Sequence, residues 1–420
     1  HRAHIPENRY NSHPDYYDVT LIDRTNHHLF QPLLYQVATA GLAPSDIAIP
    51  LRAIFKDHPN IRVVMGTVTT IDKNAQSVTI SSGQTFNFDY LAIAIGSNAS
   101  YFGHSNWEQF APGLKSIHDA VAIREQILIS LELAELESEI SKRERYLNFV
   151  VIGGGPTGVE MAGAIAEITK NTIAKDFRNY SPLHSKIFLI QRDPQLLLDY
   201  PAKLAQKAKD DLNSLGVDVM LNTLVEDIDE NGVKTNQGFI PSTNIVWAAG
   251  NEVSPLLKQL DLPLDAGGRI KINSNLSLPG HPNIFALGDC AHLLEKSAPL
   301  PAVATVALQQ GAYLANLLHE KLENNTASNT ASAANAETRG DLSFKYWDKG
   351  KMATIGRKKA VVQIGNFSVS GFPAWVLWLV IHIWFLISFH NKIMVFLEWT
   401  WAYFTFNRAS RIIVHPSDKK

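Results

Sequence analysis

Cysteine is nearly absent from this 420-residue chain, which carries Cys290 alone. A single cysteine excludes an internal disulfide framework and any redox pair of two cysteines within the chain. An excess of charge of one sign is also missing, because 38 Lys and Arg residues face 40 Asp and Glu residues. The net charge of −2 gives no electrostatic reason to expect nucleic acid as a partner. The fifteen histidines do not cluster at metal-ligand spacing, so no metal site is expected.

Glycine is absent before Gly41. This matters because residues 19–22 form a short apolar run of strand formers that ends on Asp23. A strand that ends on an acid is the ribose-binding half of a dinucleotide-binding fold, and a glycine loop is expected about 20 residues before the acid. Residues 1–18 instead resemble the end of a helix followed by an extended loop. We therefore expect the missing glycine loop to lie just upstream of His1.

A complete glycine loop does occur in the middle of the chain, in "YLNFVVIGGGPTGVEMAGAIAEI". Residues 149–152 read as a buried strand, Gly153, Gly155 and Gly158 fit G-x-G-x-x-G, and residues 159–168 read as a helix. The strand before and the helix after are the context that makes this pattern specific for a dinucleotide. The start of the helix offers free N–H groups and about half a positive charge to the phosphates.

The next strand, in "KIFLIQRD", is expected to supply the acid that binds the ribose, but position 191 is Gln. A carboxylate there accepts the ribose hydroxyls and repels a 2′-phosphate, whereas Gln191 offers only a weaker, neutral hydrogen bond. Arg192 is able to pair with a 2′-phosphate. The sequence therefore predicts a relaxed choice between NADH and NADPH.

Strand-like and helical stretches alternate through most of the chain, which predicts an α/β architecture. Residues 322–340, "LENNTASNTASAANAETRG", are of low complexity and are predicted to form a disordered linker. Beyond them the composition changes, since five of the eight tryptophans lie between Trp375 and Trp401.

Four motifs together resemble type II NADH:quinone oxidoreductases, which are single-subunit enzymes that pump no protons. The motifs are "LIDRTNHHLFQPLLYQVATAGLAPSDIAIPLR", "VVIGGGPTGVEMAG", "VWAAGN" and "YWDKGKMATIGRKKA". The resemblance implies an α/β fold with two Rossmann-like dinucleotide-binding domains, in which the NAD domain is inserted into the FAD domain, and a C-terminal helical membrane anchor. The implied bounds are 1–115 and 245–321 for the FAD domain, 116–244 for the NAD(P)H domain, 322–340 for the linker and 341–420 for the membrane-associating region.

The same resemblance assigns the cofactors FAD and NADH, with NADPH as an alternative. It implies that Asp23 binds the FAD ribose, that Tyr35 and Gln36 lie near the isoalloxazine, and that Glu160 faces the nicotinamide–flavin interface. The implied cofactor-binding residues are Asp23, Tyr35, Gln36, Gly96, Gly153, Gly155, Pro156, Thr157, Gly158, Gln191, Arg192, Ala249, Gly250, Gly288 and Asp289.

The family's quinone pocket carries a stretch of the form Ala-Gln-x-Ala-x-Gln, which here reads Ala304 to Gln309 with Thr305 in place of the first Gln. The resemblance thus implies quinone binding by Thr305, Gln309 and Gln310, with catalytic roles for Glu160 and Gln309. Thr donates and accepts one hydrogen bond with a shorter reach than Gln. The alternative is that Gln309 and Gln310 merely cap or solvate a helix.

Residues 372–389, "FPAWVLWLVIHIWFLISF", carry no formal charge. As one helix they would extend about 27 Å, just short of a hydrocarbon core of roughly 30 Å. The alternatives are one transmembrane helix, two amphipathic helices in the membrane interface, or a tail buried in a soluble dimer. We favour an interfacial anchor on the cytoplasmic face of the cell membrane, or on the mitochondrial inner membrane in a eukaryote.

The resulting prediction is an FAD-dependent enzyme that oxidises NADH and reduces a membrane quinone, with the lipid bilayer as a partner. Homodimerisation is left open. The chain is predicted to be N-terminally truncated relative to a complete flavoprotein. The alternative function is a membrane-bound NAD(H)-binding module that has lost its flavin site. Lipoamide-, thioredoxin- and sulfide:quinone-type reductases are excluded, because each needs a redox-active cysteine pair and this chain has only Cys290.

Overall fold

The computed structural model describes residues 17–173, 176–328, 343–405 and 410–413. The chain divides into two compact units. The first unit comprises His1–His28, Ile49–Asn98 and Asn251–Asp348, and the second comprises Leu29–Ala48, Ala99–Gly250 and Lys349–Lys420. The helix end and loop predicted before Tyr17 lie outside the described residues.

The α-helices, in chain order, are α1 Leu34–Ala38, α2 Pro44–Ile47, α3 Leu51–Ile54, α4 Ile117–Leu136, α5 Ile140–Leu147, α6 Pro156–Glu167, α7 Ala202–Ser214, α8 Ala304–Ser328, α9 Phe372–Phe385 and α10 Phe389–Thr405. The strands are β1 Val19–Asp23, β2 His27–Leu29, β3 Ala48–Pro50, β4 Ile61–Met65, β5 Val68–Asp72, β6 Ser77–Ile80, β7 Thr85–Asn87, β8 Leu91–Ile93, β9 Asn98–Ala99, β10 Asn148–Ile152, β11 Lys186–Ile190, β12 Val217–Met220, β13 Val225–Asp229, β14 Gly232–Thr235, β15 Gly238–Pro241, β16 Asn244–Trp247, β17 Asn251–Glu252, β18 Ile270–Lys271, β19 Ser277–Leu278, β20 His281–Ala286, β21 Ala291–His292, β22 Leu294–Glu295, β23 Ala298–Pro299, β24 Lys351–Gly356, β25 Lys359–Ile364 and β26 Phe367–Ser370.

The second unit is built on a parallel sheet of order β12-β11-β10-β16. Strand β10 lies in its interior and is buried along its whole length. The apolar run from Phe149 to Ile152 predicts this for a parallel strand covered on both faces. Ile152 pairs with Ile190 on one side and with Trp247 on the other. The α/β architecture expected from the sequence is therefore present, and β10 leads directly into the glycine loop and α6.

The C-terminal part of the chain joins the core of this second unit. Strands β24, β25 and β26 form an antiparallel sheet. Helix α6 packs so closely on β24 that a Cβ atom added to Gly163 would overlap the carbonyl oxygen of Ile355. Ala353, Ile355 and Trp378 belong to the same hydrophobic cluster as Met161. Residues 351–364 are thus a packed part of the second unit.

The first unit contains a parallel pair, β1 with β4, and an antiparallel sheet of β5, β6 and β7. Another of its sheets has the order β19-β20-β8. Helix α8 extends to Ser328, so the first seven residues of the predicted linker are helical. This corrects the disorder predicted for residues 322–328: good helix formers precede this segment and carry the helix through its polar residues. The remainder of the predicted linker, up to residue 340, lies outside the described residues.

The apolar run at residues 372–389 does not form one helix. Helix α9 ends at Phe385, Leu386 is extended with φ −61° and ψ 134°, and α10 begins at Phe389. Over the residues that the structure describes, none of the helices combines the length and the apolar character that crossing a bilayer requires. A single helix over this run, one of the predicted alternatives, is therefore wrong; the run forms two helices.

Candidate active site

The glycine loop has the geometry that its sequence predicts. Gly153 has φ +113°, and a Cβ atom there would meet the backbone of Ala248 at 2.7 Å. A Cβ atom at Gly158 would overlap the carbonyl oxygen of Gly153, so this glycine lets helix and strand approach. Gly155, by contrast, has no protein atom within 4 Å of an added Cβ atom. Its open side is the side from which a ligand can reach the backbone.

Helix α6 begins at Pro156, three residues earlier than predicted, with the proline at its first position, where a missing N–H costs no helical hydrogen bond. Thr157 is exposed beside it. A cavity of ≈ 170 Å³ lies against this helix start. Its lining residues come from the glycine loop and from the segment after β11: Gly154, Gly155, Pro156, Gln191, Leu197, Leu198, Asp199 and Tyr200.

Gln191 is buried at the end of β11, with 9% of its surface exposed. Its Oε1 accepts a hydrogen bond from the Gly154 N–H at 2.8 Å, and its Nε2 donates to Asp193 at 2.9 Å. Both polar atoms of the amide are thus engaged within the protein. Arg192 is exposed and lies 3.9 Å from the Asp193 carboxylate.

One turn into α6, Glu160 faces a second cavity, of ≈ 120 Å³. The cavity is bounded by five segments of the second unit: α1 and the loop after it, α6 with the turn that follows, β24, α9 and α10. Its lining residues are Tyr35, Gln36, Thr39, Gly41, Glu160, Ala164, Glu167, Thr172, Thr354, Ile355, Gly356, Arg357, Trp375, Trp378, Leu379, Trp399, Ala402 and Tyr403.

Burial raises the pKa of Glu160 from its ordinary value of 4.5 to about 8. The Thr354 N–H, 3.4 Å from Oε1, and the Trp378 indole oppose this rise only in part. The indole Nε1 of Trp378 is buried and makes no hydrogen bond within the described part of the chain, although it lies near enough to favour the carboxylate. Glu160 keeps some accessible surface because it faces the cavity, while protein surrounds its other sides. At neutral pH this carboxyl therefore holds a proton.

Two residues assigned to the flavin site by sequence, Tyr35 and Gln36, line the same cavity as Glu160. Gln36 donates from Nε2 to the Tyr35 hydroxyl at 2.9 Å and accepts at Oε1 from the Trp399 indole at 2.7 Å. Trp378 and Trp399 were not among the predicted site residues. The tryptophan-rich tail of the sequence could have pointed to these two residues, but it was interpreted only as a membrane anchor.

In the first unit, the Gly288-Asp289 pair forms a tight turn, with Gly288 at φ +66°. The buried side chain of Gln310 holds this turn, because its Oε1 accepts from the Gly288 N–H at 2.7 Å. Ser97 donates to one carboxylate oxygen of Asp289 at 2.9 Å. The other, Oδ1, is buried and has no hydrogen-bond partner within the described residues. Gly96 lies beside Ser97 at φ +67°.

The two other predicted quinone ligands contact the segment that follows residue 343. Gln309 donates to the Trp347 carbonyl at 2.9 Å and accepts from the Trp347 N–H at 3.0 Å. Thr305 shares a hydrogen bond with the Tyr346 hydroxyl at 2.9 Å. These contacts fasten the segment to α8, in line with the structural alternative raised for Gln309. Their role in quinone binding stays a prediction.

The other predicted positions are dispersed. Asp23 accepts from the N–H and the hydroxyl of Thr25, both at 2.8 Å, so its carboxylate shapes the turn after β1. In the second unit, Ala249 packs at the edge of an aromatic cluster, and Gly250 has φ +76°. Within the described residues no group of three or more His, Cys, Asp or Glu side chains is placed to hold a metal ion.

Comparison with known proteins identifies the family. Residues 9–311 match the pyridine nucleotide-disulphide oxidoreductase family. The chain is 40% identical over 408 residues to the type II NADH:quinone oxidoreductase Ndh of Mycobacterium tuberculosis, an alignment that covers 94% of this chain and 85% of the relative. It is 30% identical over 423 residues to the mitochondrial internal alternative NAD(P)H-ubiquinone oxidoreductase A1 of Arabidopsis thaliana, over 94% of this chain and 81% of the relative.

Among solved structures, NDH2 of Plasmodium falciparum in complex with NADH superposes with a TM-score of 0.83 over 95% of both chains, at 20% identity, which shows a shared fold. These matches over nearly the whole chain agree with the structure on one family. The structure contributes the glycine loop on a buried parallel strand and the turn at Gly288-Asp289. The chain belongs to the type II NADH:quinone oxidoreductases, within the pyridine nucleotide-disulphide oxidoreductase family.

Proposed function

We propose that this protein oxidises NADH with FAD as its resident cofactor and reduces a membrane quinone without pumping protons. The observation that carries the proposal is the double use of α6. Its first residues form the nucleotide loop, and one turn later Glu160 presents a protonated carboxyl to an aromatic cavity. A single rigid element thus connects a site for a hydride donor with a site for an apolar ring that needs a proton.

The residues present fit FAD. The buried Oδ1 atom of Asp289 has no hydrogen-bond partner in the described residues, and Gly288 before it has φ +66°. A polar ligand group at this place would satisfy that atom, which otherwise carries a desolvation cost. Asp23, Gly96, Gly288 and Asp289, all in the first unit, are the residues proposed to hold the cofactor. When bound, FAD accepts a hydride from nicotinamide and supplies two electrons to the quinone.

The glycine loop is proposed to bind the pyrophosphate of NADH. The glycine loop and the start of α6 line the 170 Å³ cavity. The start of a helix favours a negative charge. Gly155 leaves room for the phosphate, because no protein side chain or backbone atom fills the space beside it. The amide of Gln191 holds the neighbouring Gly154 in place and keeps the loop in its binding conformation.

The quinone ring is proposed to lie in the cavity beside Glu160. Trp378, Trp399 and Tyr403 offer flat apolar faces for a ring, and Gln36 and Tyr35 offer polar groups for its oxygens. Reduction of a quinone to a quinol takes two electrons and two protons, whereas a hydride carries two electrons and one proton. Glu160 supplies the second proton and then regains one from solvent, because its pKa of about 8 keeps it protonated at neutral pH.

Helices α9 and α10 are proposed to attach the protein to the cytoplasmic face of the membrane. Ala374, Trp378 and His382 of α9 are buried, while other apolar side chains of the two helices are exposed. The largely exposed ones include Val380 at 59%, Trp384 at 75%, Phe389 at 77%, Trp401 at 60% and Phe404 at 76%. An apolar surface of this extent is typical of an interaction site, and tryptophan prefers the headgroup level of a bilayer.

The test of the enzymatic proposal is a steady-state assay of NADH oxidation with a soluble quinone, using the wild type and Ala402→Phe. Ala402 lines the cavity, so the larger side chain should raise the KM for quinone and leave NADH binding unchanged. Thr400→Phe places the same ring on the exposed side of α10 and is the matched control. NADH oxidation that does not depend on quinone, or equal quinone KM values for both variants, would contradict the proposal.

The membrane proposal is tested separately by cosedimentation with anionic vesicles. Replacing Trp384 and Trp401 together by Glu should release most of the protein into the supernatant, because both side chains are exposed and apolar. Leu136→Glu changes an equally exposed apolar residue, 81% exposed and outside α9 and α10, and should sediment like the wild type. Equal release of both variants would overturn an anchor formed by α9 and α10.

A further inference from the structure

Gln191 occupies the position where a ribose-binding acid is expected, but its amide is turned into the protein. The Gly154 N–H donates to Oε1 at 2.8 Å, and Nε2 donates to the Asp193 carboxylate at 2.9 Å. Only 9% of the residue is exposed. These two hydrogen bonds hold the amide against the glycine loop and Asp193. Gln191 is therefore a link between the glycine loop and Asp193.

Asp193 is itself held by the segment that follows β12. The backbone N–H of Asn222 donates to the Asp193 carbonyl at 3.2 Å, and Thr223 donates in the same way to the Gln191 carbonyl at 3.0 Å. The side chain of Asp193 keeps 30% of its surface exposed. A negative charge is thus held against Gln191, which lines the nucleotide cavity, two residues after the position where the sequence pattern would place it.

We propose that Asp193, held by Gln191, is the residue that selects NADH over NADPH in this protein. The inference rests on the proposed binding of NADH at the glycine loop. The carboxylate repels a 2′-phosphate, while Arg192, 73% exposed and 3.9 Å away, partly offsets that repulsion. A carboxylate and a phosphate separated by several ångströms of water-like medium repel each other enough for about a tenfold loss in affinity. The preference for NADH is then modest, in keeping with the relaxed choice that Gln191 predicts.

The experiment measures the dissociation constants of ADP-ribose and 2′-phospho-ADP-ribose by calorimetry on the flavin-loaded protein. These probes carry the ribose and phosphates without the nicotinamide, so binding is read without turnover. Asp193→Asn keeps the size of the side chain and an oxygen for the Gln191 amide but removes the charge. The affinity for 2′-phospho-ADP-ribose should rise about tenfold, and that for ADP-ribose should stay within about twofold. Asp218→Asn removes the same charge from the exposed part of β12 and should change neither value.

A second measurement needs no variant. The repulsion acts at a partly exposed site, so salt should screen it. In the wild type, the dissociation constant of 2′-phospho-ADP-ribose divided by that of ADP-ribose should therefore fall as salt rises from about 0.01 M to 1 M. Equal affinities of the wild type for both probes, or an unchanged ratio in Asp193→Asn, would overturn the role of Asp193 and leave the oxidoreductase proposal intact. A protein that discriminates between the probes as described but does not oxidise NADH would contradict the proposed function alone.

Discussion

Glu160 should make this protein less stable as the pH rises through the neutral range. In the unfolded chain its carboxyl ionises near its ordinary pKa of 4.5, whereas burial in the fold raises the pKa to about 8. Between these values the folded state keeps a proton that the unfolded state has lost. The free energy of unfolding therefore decreases from pH 4.5 upward and reaches its lower level above pH 8. Glu160→Gln, which resembles the protonated side chain, removes this dependence.

The size of the effect follows from the two pKa values. A rise from 4.5 to about 8 corresponds to about 5 kcal/mol of lost stability at high pH. Because Glu160 faces a cavity and keeps some accessible surface, solvent screening reduces this, and we expect about 2 kcal/mol. Glu160→Gln should match the wild type at pH 5 and exceed it by this amount at pH 9.

The assay compares unfolding temperatures and urea midpoints of the two proteins at pH 5, 7 and 9. Glu108→Gln, at an exposed position of the same unit, is the control for removal of a carboxylate. A difference between Glu160→Gln and the wild type that is the same at every pH would refute the burial of a protonated carboxyl. Quinone reduction should also lose its alkaline limb near pH 8 in Glu160→Gln, because the proton donor is gone.

Three further outcomes are expected. Gly155→Ala should keep the unfolding temperature within about a degree but weaken NADH binding in a titration, because the space beside Gly155 is left for a ligand. Gly163→Ala should destabilise the fold by about 3 kcal/mol in a urea titration, because the added methyl group would overlap β24. Burial lowers the pKa of His382 from 6.5 to about 4, so protonation favours the unfolded chain. The free energy of unfolding of the wild type should therefore fall by about 2 kcal/mol between pH 7.5 and pH 5. His382→Phe should show no such fall when thermal unfolding is compared at the two pH values. Gln309→Leu removes both hydrogen bonds to Trp347 and should speed tryptic cleavage of the neighbouring segment about tenfold, as followed by mass spectrometry.

The glycine loop was predictable because its signal is local. A buried strand, three glycines and a helix follow one another within 20 residues. Gly153 and Gly158 have a steric reason in the fold, whereas the space beside Gly155 is open. The structure adds only that α6 begins at Pro156. The Gly288-Asp289 pair was assigned through the family resemblance, and the structure adds that Gly288 has φ +66°.

The cavity beside Glu160 was not predictable as a unit, because its walls come from segments more than 300 residues apart. A short periodic pattern in the sequence shows which face of a helix is buried, but not which distant segment covers it. The break at Leu386 was equally hidden, since neither glycine nor proline marks it. Adjacent residues such as Gln309 and Gln310 diverge because they lie about 100° apart around α8, so that one contacts Trp347 and the other Gly288.

The most direct test of the central claim is the visible spectrum of the purified protein under anaerobic conditions. The account predicts flavin absorbance bands at near-stoichiometric amounts, bleached by NADH and restored when a soluble quinone is added. Absence of the bands, bands that NADH does not bleach, or bleached bands that quinone does not restore would contradict the assignment of this protein as an FAD-dependent NADH:quinone oxidoreductase.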